Sequence, residues 1–231
     1  MSLNYGEVIG NAFNDTFSGH TSQLAVIALI FMALFHVGFP LLTDGVTQQT
    51  TANTIQYTAS SIVILAATLA FYIIFGIGLI RSLYHRDVKT EYFTHDLGIT
   101  AANTIVGGII TGVAISLGFL VFVIPGLILL SSLYLWAAHV ILDDENFLDA
   151  FKDSWHDTKG NRGTLIGIII TAWVLSLSVS LVAQFGAGVF SLAFYNTRVQ
   201  AVALLAIYYV GIYVSIFNAS ILVETYRALT D

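Results

Sequence analysis

Histidine and carboxylate are the only metal-capable side chains the sequence offers in number: six His and fourteen Asp plus Glu, with no Cys. Metal sites need such groups clustered at fixed spacing. The nearest candidates are His85 with Asp87, His95 with Asp96, and His156 with Asp157. Each is a neighbouring pair, not an H-x-x-x-H helix pair or an H-E-x-x-H site. They could share one face, but no spacing demands it, so the expectation is a solvated acidic face without a metal. The lack of Cys removes thiolate sites, a Cys nucleophile and disulfides. No G-x-S-x-G, Walker or dinucleotide fingerprint is present. No catalytic, cofactor or metal residue is therefore expected, and the chain reads as a non-enzyme.

The elements that must carry these residues are unusually apolar. Of 231 residues, 57% are apolar and 10% are charged, and mean hydropathy is +0.84. A soluble domain is about 25% charged, so the class is an integral membrane protein. Six runs are long enough to cross a bilayer: Ser22–Leu42, Ser60–Ile80, Thr104–Val123, Pro125–Leu142, Thr164–Phe185 and Val199–Val223. The stretch from Thr104 to Leu142 is too long for one crossing. Pro125, in Ile124-Pro125-Gly126, suits the first turn of a new helix, so a tight reversal is expected there. The N-terminus opens acidic and Asn-rich without Lys or Arg, unlike a secretory signal.

Charge sets the orientation. Arg81, Arg86, Lys89, Lys152, Lys159, Arg162 and Arg227 fall on one side, and only Arg198 on the other. The positive-inside rule places both termini in the cytoplasm of a multi-pass cell-membrane protein. All acids but Asp44 fall on that same side, so the net charge of −6 belongs to one face. With 8 Lys plus Arg, nucleic acid is a poor partner. Three Lys against ten Asp and twenty Thr point to a salt-rich cytosol, hence a halophilic archaeon, where acidic surfaces stay hydrated.

The chain also repeats itself. Ala12-Phe13-Asn14-Asp15-Thr16-Phe17 matches Ala150-Phe151-Lys152-Asp153-Ser154-Trp155 as A-F-x-D-[ST]-[FW]. Each copy lies in an amphipathic stretch just before a span. A weaker third copy begins at Glu91-Tyr92-Phe93. The fold expected is all-α: six transmembrane helices as three hairpin repeats, about 1–80, 81–142 and 143–231 in a single membrane domain, each preceded by a short interfacial helix. Phe13, Phe17, Phe151 and Trp155 are the expected interfacial anchors.

Inside the spans ionisable groups are scarce, which weakens an ion-coupled pump. His36 and His139 are read as interhelical hydrogen-bonding residues. Glu224 and Arg227 are read as an interfacial pair. Gly108, Gly112 and Ser116 form a small-xxx-small stripe expected to pack helices closely, so that Gly112→Leu should disrupt folding or assembly.

Three features in order carry a family resemblance: the Tyr5-Gly6-Glu7-Val8-Ile9-Gly10-Asn11-Ala12-Phe13 opening, Ile124-Pro125-Gly126, and Leu148-Asp149-Ala150-Phe151-Lys152-Asp153-Ser154-Trp155 leading to Lys159-Gly160. By these the chain resembles a broad, uncharacterised family of six-helix membrane proteins. That family includes the membrane domain found ahead of some glycerophosphodiester phosphodiesterases, and haloarchaeal relatives. Its usual Pro late in the fourth span is missing from Ala138-His139-Val140, and Glu145 is the available acid. No phosphodiesterase domain is present to carry that activity. The resemblance implies architecture and a membrane role.

Two functions follow as expectations. The first is a non-catalytic structural or accessory protein that packs against a protein partner or a second copy, through its membrane helices or its cytoplasmic face. The second is a channel or facilitator for a small or lipidic solute, along a path lined by Thr, Ser, Gln184 and Asn218.

Overall fold

A computed structural model describes residues 3–33, 53–193 and 197–230. Among them the chain is all helical: α1 (Tyr5–Thr16), α2 (Gly19–Ala33), α3 (Asn53–His85), α4 (Leu97–Val121), α5 (Val123–Ser132), α6 (Trp136–Leu142), α7 (Phe147–Asp157), α8 (Arg162–Ala193) and α9 (Thr197–Thr230). Five stretches are long and apolar enough to cross a membrane: Leu65–His85, Leu97–Val121, Val123–Leu142, Arg162–Phe190 and Leu205–Thr230. Gly19–Met32 is a shorter apolar helix, and the rest of the expected first span lies outside the described residues, as does His36.

The two amphipathic segments are capped alike. The Asn4 side chain accepts from the Gly6 and Glu7 amides, and that of Asn146 from the Leu148 and Asp149 amides. Each satisfies amides that a helix N-terminus leaves open. Both bury the small residues of the shared motif, Ala12 and Thr16 in α1, Ala150 and Ser154 in α7. The segment before α4 differs from expectation. It forms only a single 3₁₀ turn, Thr90–Phe93, and α4 then begins after Asp96, whose φ of 43° breaks the helical path. These segments pack chiefly on helices other than the one each leads into: α1 on α8 and α9, the 3₁₀ turn on α3, and α7 on α4, α5 and α6.

The reversal is as tight as expected but falls at Phe122, three residues before Pro125, which sits in the first turn of α5. Phe122, in extended conformation, separates α4 from α5. Glycine is required on both arms. A Cβ at Gly118 would stand 3.0 Å from the Gly126 Cα, and one at Gly126 would stand 2.5 Å from the Phe119 ring.

The expected fourth span is not one helix. It breaks between Ser132 and Trp136, and Ser154 of α7 fills the gap. The Ser154 hydroxyl donates to the Ser132 carbonyl (2.9 Å) and accepts from the Leu135 amide (3.1 Å). An inserted side chain is a recognised cause of such a break, and hydroxyls re-satisfy backbone groups freed inside a membrane.

The core lies at one end of the antiparallel array. Leu24, Ala28, Ile77, Leu83, Ile216 and Val223 pack α2, α3 and α9 together. Val8, Ala12, Leu165, Ile168 and Ile221 join α1, α8 and α9. Elsewhere the long helices turn apolar side chains outward, among them Leu120 (81% exposed), Ile124, Val182 and Phe185. A surface of that kind suits lipid rather than water.

Candidate functional site

Every charged residue whose side chain is described lies within 7–15, 81–96, 143–162 or 224–227. Hydrogen bonds tie these segments together at the end that holds the core. Three clusters result.

The first surrounds Arg81, on the last turns of α3 and only 6% exposed. Its Nε donates to the Ile141 carbonyl at 3.0 Å, and Nη1 to the His95 carbonyl at 2.8 Å. Nη2 meets Asp144 Oδ1 at 3.1 Å. A guanidinium supplies several fixed donors and stays charged when buried. Here it closes the C-terminal carbonyls of α6 and the turn before α4, where cations also complement a helix terminus. A cavity of about 210 Å³ lies beside it, lined by His85, Tyr92, His95 and Asp144 among others.

The second joins α1, α3 and α9. Arg227 donates to the Leu83 carbonyl (2.9 Å), to the Tyr84 carbonyl, and to Glu224. Glu224, 6% exposed, also accepts from Asn11 Nδ2 at 3.1 Å and meets Arg86 at 3.6 Å. Asp15 Oδ2 is buried without a hydrogen bond, 4.0 Å from Arg227. Burial, and then the Glu224 charge, raise the Asp15 carboxyl above its ordinary range, against the pull of Arg86 and Arg227.

The third is built on α6, α7 and α9. His139 Nδ1 lies 2.9 Å from Asp143 Oδ2, one helical turn on. Its Nε2 stands 3.2 Å from Asp157 Oδ2 of α7, though not aligned for a hydrogen bond. The Tyr226 hydroxyl lies 2.7 and 2.8 Å from the two oxygens of Asp143. Burial alone would raise Asp143, but the hydrogen bonds from His139 and Tyr226 outweigh it and hold the carboxyl below its usual range. Burial and the nearby Asp153 push Glu145 up to about 7.

Of the three pairs singled out by adjacency, only His95 and Asp96 come within ion-pair distance of each other. Asp87 engages Lys89 and the Tyr92 hydroxyl, while His85 stacks on the Tyr92 ring at 5.0 Å. Asp157 faces His139 and not a shared ligand with His156. His95 Nε2 is 3.4 Å from Asp96 and 3.9 Å from Asp144. The hydrogen bond of His139 runs to Asp143 at the end of its own helix, not between helices, where Nε2 only approaches Asp157; Glu224 does pair with Arg227, but in a buried network.

Phe13, Phe17 and Trp155 are exposed, and Phe151 is half-buried against Trp136 at 5.8 Å. Phe17 stacks on Tyr213 at 5.7 Å, and Arg162 lies over the Trp155 ring at 4.3 Å. The glycine stripe is displaced by one residue from the helix–helix contact inside the chain. Buried positions on α4 are Thr100, Gly107, Thr111 and Gly118. A Cβ on Gly107 would stand 2.5 Å from the Trp136 ring. Gly108 is in ordinary contact range of Trp136, at 3.8 Å, whereas Gly112 has open space and Ser116 is exposed.

An apolar groove of about 380 Å³ runs between α1, α8 and α9, lined by Phe13, Phe17, Leu175, Tyr213 and Phe217 among others. Asn218 bonds Ser176 at 2.9 Å nearby, but Gln184 points outward on α8.

In the sequence Arg81 counts only as a loop charge and Ser154 only as part of the repeated motif, and no motif there marks Asp143 or Tyr226. The i,i+4 spacing of His139 and Asp143 was a usable signal; Tyr226 lies 83 positions from Asp143, and no local pattern joins them. No curated protein and no solved structure matches the chain. The profile of the family described as Domain of unknown function (DUF7847) matches residues 8–229, nearly the whole of this helical array, and the chain belongs to that family.

Proposed function

We propose that the protein is a six-span cell-membrane protein with both termini in the cytoplasm, acting without catalysis as a structural or accessory component that packs against a partner or a second copy. The carrying observation is the flank of α4 and α5. Leu117, Leu120, Phe122, Val123 and Ile124 are exposed there, as is Ser116, and a Cβ at Gly112 would meet open space. Small residues on such a face permit close helix approach. The three-hairpin reading draws support from the way each pre-span segment packs chiefly on helices which that reading assigns to another unit. A halophilic source is inferred from the acid excess, and kinship with the phosphodiesterase-linked membrane domains from the three motifs.

Crosslinking in native membranes, followed by mass measurement in nanodiscs, tests the role. A discrete oligomer or a stoichiometric complex is expected; a solitary chain would refute it. The groove between α1, α8 and α9 favours a second reading, a facilitator for a lipidic solute. Protein-dependent lipid or solute transfer in proteoliposomes would support that reading.

A further inference from the structure

The cluster around His139 holds more acceptor atoms than its neighbours satisfy. His139 is 4% exposed, and its Nε2 is buried without a hydrogen-bond partner. Glu145 Oε2 is likewise buried without a partner. Such orphaned groups are costly unless something else meets them. The backbone is arranged to bring them together. Asp144 has φ of 55°, in the left-handed region, and turns the chain back so that the Glu145 amide reaches the His139 carbonyl at 3.4 Å. One ligand atom each from His139, Asp143 and Glu145 then lie within 4.8 Å of one another. Among the described residues, no Lys or Arg forms an ion pair with Asp143, Glu145 or Asp157. Three carboxyl groups thus crowd one imidazole, and even an imidazolium would not balance them when all are ionised.

We infer that His139, Asp143 and Glu145 bind one divalent transition-metal ion of the Mn²⁺ or Zn²⁺ class on the Nδ1 side of the imidazole, with Asp157, 3.2 Å from Nε2, as the outer carboxylate that orients the ring. Bonds of about 2.1 Å separate adjacent ligand atoms by roughly 3.0–3.4 Å, so modest side-chain movement closes the cluster. Imidazole nitrogen favours a transition metal over Mg²⁺ or Ca²⁺, and the all N/O set lacks the sulfur that soft ions seek. The Tyr226 hydroxyl holds the Asp143 carboxylate, as outer partners orient ligands in metal sites. The ion would staple the end of α6 to the link that leads into α7, with α9 attached through Tyr226. Asp143, the most exposed of the four, gives the way in from the aqueous side.

The test uses the full chain in nanodiscs, stripped with chelator and titrated with MnCl₂, ZnCl₂, MgCl₂ or CaCl₂. Metal content and Mn²⁺ paramagnetic resonance read stoichiometry, and thermal unfolding reads the staple. About one Mn²⁺ or Zn²⁺ per chain is expected, with a raised melting temperature. Glu145→Gln and Asp157→Asn, which remove only charge, should weaken binding about 10- to 100-fold while the apo proteins remain folded. His139→Gln should abolish it; if that variant fails to fold, the two carboxylate variants still decide. Failure to retain metal, equal binding by Mg²⁺, or undiminished binding in Glu145→Gln would each overturn the inference and leave an imidazole–carboxylate ion pair.

Discussion

Replacing Ser154 with alanine removes one oxygen from a side chain with no solvent exposure. That oxygen serves two backbone groups in the break between α5 and α6. The Leu135 amide loses the side-chain acceptor it has at 3.1 Å. The Ser132 carbonyl keeps only Thr158 Oγ1, at a marginal 3.5 Å. A buried donor left unmatched costs about 1–3 kcal/mol, and the weakened carbonyl contact adds about 1 kcal/mol at most. The expected loss is therefore about 2–3 kcal/mol, or roughly 30- to 150-fold in the unfolding equilibrium. Equilibrium unfolding in mixed micelles measures it. Ser178→Ala is the matched control, since that exposed hydroxyl serves only the Val174 carbonyl one turn back, and should stay within about 0.5 kcal/mol of the parent. If Ser154→Ala is as mild as the control, the hydroxyl does not hold the break and the reasoning fails.

Gly107→Leu should sharply reduce folded yield by colliding with Trp136, whereas Gly112→Leu should fold normally and weaken only contacts between chains; detergent-resistant yield and oligomer mass distinguish the two. This revises the sequence-based expectation for Gly112, because its own chain leaves the position open. Arg81→Gln should cost about 1–3 kcal/mol in the same unfolding assay, since the Ile141 and His95 carbonyls lose a buried donor while the half-exposed Asp144 carboxylate can turn to water; a loss under about 0.5 kcal/mol would show the clamp to be dispensable. The raised pKa of Asp15 means that its stabilising, protonated form prevails below the unfolded carboxyl range and is lost as pH rises through the folded value. Asp15→Asn should therefore raise the melting temperature at neutral pH, by an amount that shrinks toward pH ~4; equal destabilisation at both values would contradict the assignment.

Hydropathy made the long helices legible, because apolar runs of that length have few other uses. It could not reveal the break at Leu133-Tyr134-Leu135, which contains no Gly or Pro; the cause is Ser154, some twenty positions later. The repeated motif did mark Thr16 and Ser154, and both are buried, but not what Ser154 bonds. The tandem Gly107-Gly108 left the phase of the packing stripe ambiguous by one residue, and Trp136 selects Gly107. Arg81 counted in sequence as a loop charge, although it is buried and ties three segments together. The His139 cluster converges from three helices, and adjacency in sequence pointed instead to His156 as the neighbour of Asp157.

The chain has no Cys, so a single introduced thiol reports its own side of the membrane without background. Thr47→Cys and Lys159→Cys, treated with an impermeant maleimide in intact cells and in inverted vesicles, test the proposed topology directly. The account predicts labelling of position 47 only from outside and of position 159 only from the cytoplasmic side. Labelling of position 159 in intact cells, or of both positions from the same side, would contradict it.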